Sequence, residues 1–348
     1  MRSVRDWLQL LGPVALVVGA GILGSFVSRS TEVYFLTALV SVSIVVALYV
    51  FVGNSGVLSF GHISFVAVGA WAAGVLTVPT HEKQAIMPYL FGFLADTTVG
   101  NVPSLAIAAA VGCVYAIVVG LALMRLSGLA AGIATFAVLE ITHNVLRFYE
   151  KIGPGFNTFS SVPETTDLLQ ATVGAVIVVL VAFAYQRSRF GRTLRATRED
   201  PAAARAVGIS IYRQRLIAFA LSGALAGLAG GLYVHLLPIN SETVYLDITF
   251  ITLAMLVIGG AVSLWGAVVG ALSVSALDSL LAEAENGIEV GGSTVDLPAG
   301  TRIVVVSALM ALVLVLRPGG ITGGREFTLD WLARRRARAT APSPGEAQ

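Results

Sequence analysis

Charge is what this sequence has least of. Asp, Glu, Lys and Arg make up 12% of its 348 residues, about half the ~25% usual in a soluble domain. An ordinary soluble enzyme of this size could not hydrate its surface with so little charge. A disordered chain needs more charge and less hydrophobicity, and a nucleic-acid binder needs a basic face, so both are excluded as well. Cysteine is nearly absent too. Cys113 stands alone, which excludes an internal disulfide and a cysteine-rich metal site. It lies in an apolar run and reads as a small packing residue. Lysine occurs only at positions 83 and 151, and each follows a glutamate rather than a glycine. The phosphate-cradling G-x-x-x-x-G-K-[ST] loop is therefore missing, and this chain cannot hydrolyse ATP through one.

What is present is apolar residue, 56% of the chain, together with 37 glycines. Uncharged runs extend over 7–28, 33–80, 97–124, 168–186, 216–241 and 248–277. About 20 such residues in a helix cross a ~30 Å hydrocarbon core. The fold class is thus an all-α polytopic membrane protein. Crossings are expected at 8–27, 33–52, 57–78, 104–124, 126–146, 168–186 and 216–237. The first run is too long for a signal-peptide core and no A-x-A site follows, so it reads as a retained helix.

The few charges set the orientation. Eight arginines fall in Arg187–Arg215 and six in the tail from Arg317, whereas Glu283–Asp296 carries four acids and no base. By the positive-inside tendency the two basic segments are cytoplasmic and the acidic one lies outside. That arrangement requires 248–281 to cross twice or double back, with Gly259, Gly260 and Gly266 permitting the break. A final helix at 299–316 then gives about ten transmembrane or half-membrane helices, with both termini cytoplasmic. The chain divides into a membrane domain, 1–316, and a basic tail, 317–348. In the tail, Phe327–Arg336 pairs apolar and basic residues and could lie on anionic headgroups or serve as a solvated anchor.

Within 187–215 lies a short helix with its own punctuation. Asp200 suits the N-cap, Pro201 the first helical position and Gly208 the position after the C-cap, with Ala202, Ala203, Ala204 and Ala206 between. A loop that only sets topology needs the arginines but not the caps. A docking helix for a cytoplasmic motor accounts for both.

Several polar groups sit inside the apolar runs. Glu140, His143, Asn144 and Arg147 recur at helical spacing and predict one shared face. Either Glu140 pairs with Arg147 or a neighbouring helix, or the face walls a translocation path. A di-iron site would need a second Glu-x-x-His, which the sequence lacks. Asn54, Ser59 and His62 flank a glycine-rich break at 53–61 and are candidates for gating or path lining. Ser263 follows the comparable break at Gly259-Gly260. Gly223-x-x-x-Gly227 predicts close helix packing.

These motifs resemble one family in order along the chain. Arg189–Gly208 followed by Leu216–Tyr233 is similar to the coupling loop and next helix of branched-chain amino-acid ABC importer permeases of the LivM type. Gly53-Asn-Ser-Gly-Val-Leu-Ser-Phe-Gly-His62, Arg125-Leu-Ser-Gly128 with Ile133-Ala-Thr135 and Glu140, Gly259-Gly-Ala-Val-Ser-Leu-Trp-Gly266 and Arg317-Pro-Gly-Gly-Ile-Thr-Gly323 match as well. The resemblance covers about 33–323. It departs at Leu129-Ala130-Ala131, where an aromatic is common, and at Ile152-Gly-Pro-Gly-Phe156, where Thr-Gly-Gly is usual.

The resemblance implies a type II importer fold in the bacterial cytoplasmic (inner) membrane. It implies a second permease, two cytoplasmic ATPases that carry the ATP and magnesium, and an extracytoplasmic solute-binding protein. No cofactor or nucleic acid is expected on this chain. Gly191, Arg192, Arg195, Arg198, Glu199, Asp200, Pro201, Ala203, Arg205 and Gly208 would form the coupling surface. Asn54, Ser59, His62, Thr135, Glu140, His143, Gly259, Gly260 and Ser263 are the path candidates. Leucine, isoleucine and valine are the expected solutes. A relative carrying urea or amides, an ion-coupled secondary transporter and a membrane-embedded enzyme are the rival readings.

Overall fold

The computed structural model describes residues 2–285, 288–290, 293–295, 297–298, 300–317 and 319–327. Fourteen α-helices lie among them. They are α1 (Arg2–Gly24), α2 (Arg29–Ser55), α3 (His62–Thr77), α4 (Thr80–Ile86), α5 (Gly92–Ala95), α6 (Asn101–Leu123) and α7 (Gly128–Phe148). They continue with α8 (Leu168–Arg187), α9 (Arg189–Glu199), α10 (Pro201–Ala206), α11 (Ile211–Val234), α12 (Leu246–Gly259), α13 (Leu264–Glu285) and α14 (Thr301–Leu316). The fold is not purely helical. Strands β1 (Ile288–Val290) and β2 (Ser293–Val295) pair antiparallel inside the acidic segment.

Six helices, α2, α6, α7, α8, α11 and α13, are long and apolar enough to cross a membrane. α3 joins them if its sharply bent pairing with α4 counts as one span, and Gln9–Gly24, α12 and α14 are shorter apolar helices. The run 248–281 is broken, as its glycines predict, at 260–263. The third crossing starts later than expected, at His62 rather than residue 57. Gly56 takes a left-handed conformation, φ 69°, that ends α2 and sends 57–61 back as non-helical chain.

α2 lies deepest. From Val42 to Ser55 every residue is buried, so this helix has no polar face to offer and is wrapped by protein. α11 packs along α2, α3 and α6. There Gly227 is pressed against the Ala108 carbonyl of α6, and Gly112 of α6 against the Gly223 carbonyl of α11. The small-x-x-x-small spacing thus lets two backbones touch, which is how helices gain packing energy where lipid supplies no hydrophobic drive between them.

The bundle has two ends. At one, Asn101 hydrogen-bonds to Thr165 and Gln170, and Phe159 pairs with Ile239. The other holds α9 and α10, with Arg215 donating to the Leu126 carbonyl at 2.9 Å and Tyr212 to that of Leu121 at 3.2 Å. The latter is called the loop end below.

Gly227→Val forces α6 and α11 apart. Overpacking of this kind costs about 1–3 kcal/mol, so the unfolding midpoint in detergent should fall by several degrees. An unchanged midpoint would contradict the packing described.

Candidate functional site

The 187–215 loop folds into an elbow of two helices. Ser188 starts α9, its hydroxyl accepting from the Gly191 amide at 3.2 Å. Gly191, Leu194 and Thr197 then turn inward. This helix is not apparent in the sequence, where its arginines hide a short apolar stripe. α10 follows as the caps require. The Asp200 carboxylate accepts from the amides of Ala202 and Ala203, both at 2.9 Å, Pro201 opens the helix and Gly208 closes it with φ 82°. Only Ala204 of α10 is buried. Pro201, Ala202, Ala203, Arg205 and Val207 face solvent, so α10 offers a small smooth surface that the other described residues leave uncovered.

The arginines divide into two sets. Arg192 is exposed beside a cavity it shares with Trp7, Gln9 and Glu326, and Arg205 bonds back to the Pro201 carbonyl at 3.1 Å. Arg195 and Arg198 turn inward instead. Arg195 donates to the Gln186 carbonyl at 2.6 Å, and the Gln186 side chain accepts from the Tyr49 hydroxyl of α2 at 2.7 Å. Arg198 donates to the Gly53 carbonyl at 2.7 Å and also grips Glu199. Gly53 sits in the last turn of α2, whose carbonyls carry the negative end of the helix dipole. A guanidinium there is worth about 0.3–2 kcal/mol. The Arg198 stem fills the space where a Cβ of Gly56 would stand. Gly56 is therefore fixed both by its φ and by the arginine lying on it.

Beyond Gly56 the chain needs side-chain partners for its backbone. Ser55 accepts from the Val57 amide at 3.1 Å. Thr135 of α7 accepts from the Phe60 amide at 3.1 Å and donates to Gly132. His62 then starts α3. Its Nδ1 lies 2.8 Å from the Ser59 hydroxyl and its Nε2 2.6 Å from the Ser222 hydroxyl of α11. The Ser222 hydroxyl donates its own proton to the Ala47 carbonyl at 2.6 Å, so it must accept from His62. That logic places the ring proton on Nε2, leaving Nδ1 to accept from Ser59. Phe51, Phe65 and Phe219 enclose the ring, with centroids at 5.4–5.6 Å. His62, Ser59 and Asn54 are all buried.

The second break meets the first. Gly53 lies against the Ala261 carbonyl, inside the turn between α12 and α13. Gly260 has φ 123°, closed to most other residues. The start of the tail laces this turn. The amides of Ile321 and Thr322 donate to the carbonyls of Ile258 and Gly259, and the Thr322 hydroxyl donates to Gly259 at 2.8 Å. Ser263 accepts from the Gly266 amide at 2.9 Å. Glu326 caps α13, its two oxygens accepting from the amides of Leu264 and Trp265 at 3.0 and 3.2 Å. Burial pushes the Glu326 carboxyl above its ordinary range, and those two amides and the charges of Arg195 and Arg187 pull it back. Gly259, Gly260 and Ser263 are thus a clamped turn at the loop end. Phe327 packs on Trp265 with centroids 5.0 Å apart. The rest of the amphipathic tail, 328–348, lies outside the described residues.

Near the opposite end the expected shared face of α7 divides. Glu140 and Asn144 are exposed and hydrogen-bonded at 2.7 Å, and the Tyr245 hydroxyl donates to the other Glu140 oxygen. That bond pushes the Tyr245 phenol up to about 12. His143 is buried under the Tyr245 ring, centroids 3.9 Å apart, with Nδ1 against the Ser241 carbonyl at 3.1 Å. Arg147 pairs with Glu242 rather than with Glu140. The reason is the 241–245 segment, which brings its own acid to the arginine and its own hydroxyl to Glu140.

The path candidates therefore occupy three places: a buried pin, a clamped turn, and a cluster near the opposite end where Glu140 is exposed and His143 buried. The partners absent from the sequence reading are Tyr49, Gln186, Ser222, Tyr245, Glu242 and Glu326. Only Gln186 stands at the end of an uncharged run; the others carry no local signal that marks them.

Glu326→Ala strips both amides at the start of α13 of their acceptor. Losing a cap costs about 0.5–2 kcal/mol, and hydrogen exchange at Leu264 and Trp265 should quicken by roughly tenfold. Unchanged exchange there would rule out the clamp.

The family described as branched-chain amino acid transport system / permease component matches residues 30–316. The LivM high-affinity branched-chain amino acid permease of Escherichia coli is 26% identical over 90% of this chain and 75% of its own length. A probable LivH branched-chain amino acid permease of Methanocaldococcus jannaschii is 33% identical over 48% of this chain and 50% of its own length, so the chain spans about half of that relative. The xylose permease XylH of Haemophilus influenzae is 29% identical over 40% of this chain and 36% of its own length. No solved structure matches. With its long apolar helices, this is a multi-pass inner-membrane protein, and it belongs to the branched-chain amino acid permease family of ABC importers.

Proposed function

We propose that this chain is the permease subunit that carries leucine, isoleucine and valine inward, driven by separate ATPases. Permeases of this family work with ATPase and solute-binding partners. The observation that supports coupling most is the two-helix elbow: α10 is capped and exposed, while α9 is tied inward through Arg198 and Arg195. In this reading the loop end is cytoplasmic and about ten helices thread the membrane. Two ATPases bind and hydrolyse ATP and press on α10 at Pro201, Ala203 and Arg205. A second permease completes the path, and a loaded binding protein docks on the opposite end.

The cycle then follows from the bonds. A push on α10 moves α9 as one body, because Asp200 caps one helix and ends the other. Arg198 transmits the motion to the last turn of α2, and Tyr49 through Gln186 does so one turn deeper. Displacing the α2 end shifts Gly56 and the 57–61 segment, which the His62–Ser222 bond anchors to α11. Arg198 is in this view a positioning residue, distinct from the exposed surface that meets the motor. The substrate assignment rests on the family and on LivM; relatives named for xylose and guanosine transport mark the alternatives.

The complete transporter in liposomes tests the substrate. ATP-dependent leucine uptake should be competed by isoleucine and valine and left untouched by xylose, guanosine or urea. Competition by one of the latter alone would overturn the assignment. For the lever, Arg198→Ala should cut uptake about tenfold while the ATPases still co-purify, with Arg198→Lys intermediate. Full uptake in both variants would remove Arg198 from the coupling route.

A further inference from the structure

α7 presents one continuous exposed face to whatever lies beside this chain. Along it lie Leu129, Ile133, Phe136, Glu140 and Asn144. The three apolar ones need no explanation in lipid, and the Asn144 amide is bonded to Glu140. Glu140 needs one, because an ionised carboxylate inside an apolar span is costly unless a partner or water meets it. It stands two turns below Phe148, about 12 Å inside the outer end of the helix.

Its surroundings are built, yet incomplete. Asn144 donates to one oxygen at 2.7 Å and the Tyr245 hydroxyl to the other. Both are neutral donors that suit a charged acceptor. The carboxylate is thereby held in one position with lone pairs still facing outward. Among the described residues no arginine or lysine pairs with Glu140; Arg147, one turn on, is taken by Glu242. His143, the nearest imidazole, is turned to Ser241 and Glu242. Among the described residues Arg147 has its own acid in Glu242, and no arginine or lysine pairs with Glu140.

We infer that Glu140 is the point on the translocation path that receives the ammonium group of the solute. The apolar residues below it, Phe136, Ile133 and Leu129, would then accommodate an aliphatic side chain as the solute moves toward the loop end. A zwitterion with a branched hydrocarbon tail matches this order of groups, whereas a sugar or a nucleoside has no cation to offer. The inference rests on the function proposed above and deepens it by naming the recognised group.

Leucine uptake and ATP hydrolysis measured together on the complete complex in liposomes provide the test. Glu140→Gln keeps the size and the acceptor for Tyr245 but removes the charge. It should lower leucine transported per ATP hydrolysed at least tenfold, with binding-protein-stimulated hydrolysis within about twofold of wild type. Glu140→Asp, with its charge drawn back by one methylene, should recover part of the ratio. An unchanged ratio in Glu140→Gln overturns the inference. So does loss of the second permease from both variants on co-purification, which would make Glu140 an inter-subunit contact. A wild-type complex that hydrolyses ATP but takes up no leucine overturns the substrate assignment itself, and that result is read from the control before either variant is compared.

Discussion

A helix end that is buried in protein leaves carbonyls or amides with no water to meet them. This chain stops helices in that way at least twice, at Ser55 and at Gly259, and the groups that close those ends come from far along the sequence. Arg198 reaches the carbonyl of Gly53, 145 positions away. Thr322 and Glu326 close the two sides of the 260–263 turn from about 60 positions away. Each broken end therefore depends on a segment at the loop end of the bundle. A fold that must satisfy its backbone with remote segments also links the motions of those segments.

That linkage gives the arrangement its mechanical sense. The elbow of α9 and α10 has one face toward solvent and one tied to α2. α2 is buried on all sides along its second half, so its end cannot shift without moving what surrounds it. The segment 57–61 is held at Thr135 and His62, and through Ser222 it reaches α11. Gly53 lies against the second break, so a displacement of the α2 end meets the clamped turn as well. Individual bonds here are worth about 1 kcal/mol each. What they supply together is direction rather than stability.

The apolar runs placed the long helices well, because a run without charge and the length of a span are the same measurement. The caps of α10 were legible for a similar reason: Asp200, Pro201 and Gly208 each act within a few residues. The break in 248–281, though not how often it crosses, followed from the placement of charges together with Gly259 and Gly260. Local signals failed where the chain satisfies itself at long range. Arg195 and Arg198 read as surface charges, yet they point inward. Glu140 reads as paired with Arg147 or a neighbouring helix, or as part of a path wall, and both Glu140 and Arg147 take a partner from 241–245. Glu326 reads as one acid in a basic tail, yet it caps a helix. No spacing rule connects residues that meet only after the helices have packed. The start of α3 at His62 was missed for a different reason, since 57–61 is apolar enough for helix and only Gly56 turns it away.

The central claim is that the elbow and the end of α2 move as one body. It can be measured with spin labels at Ala196 of α9 and Leu58 just past α2, both exposed, in a Cys113→Ser background within the complete transporter. The account predicts one narrow distance distribution that is the same without nucleotide and with ATP trapped. A shift of several ångströms between the two states would show that the elbow slides over α2, and the lever described here would be wrong.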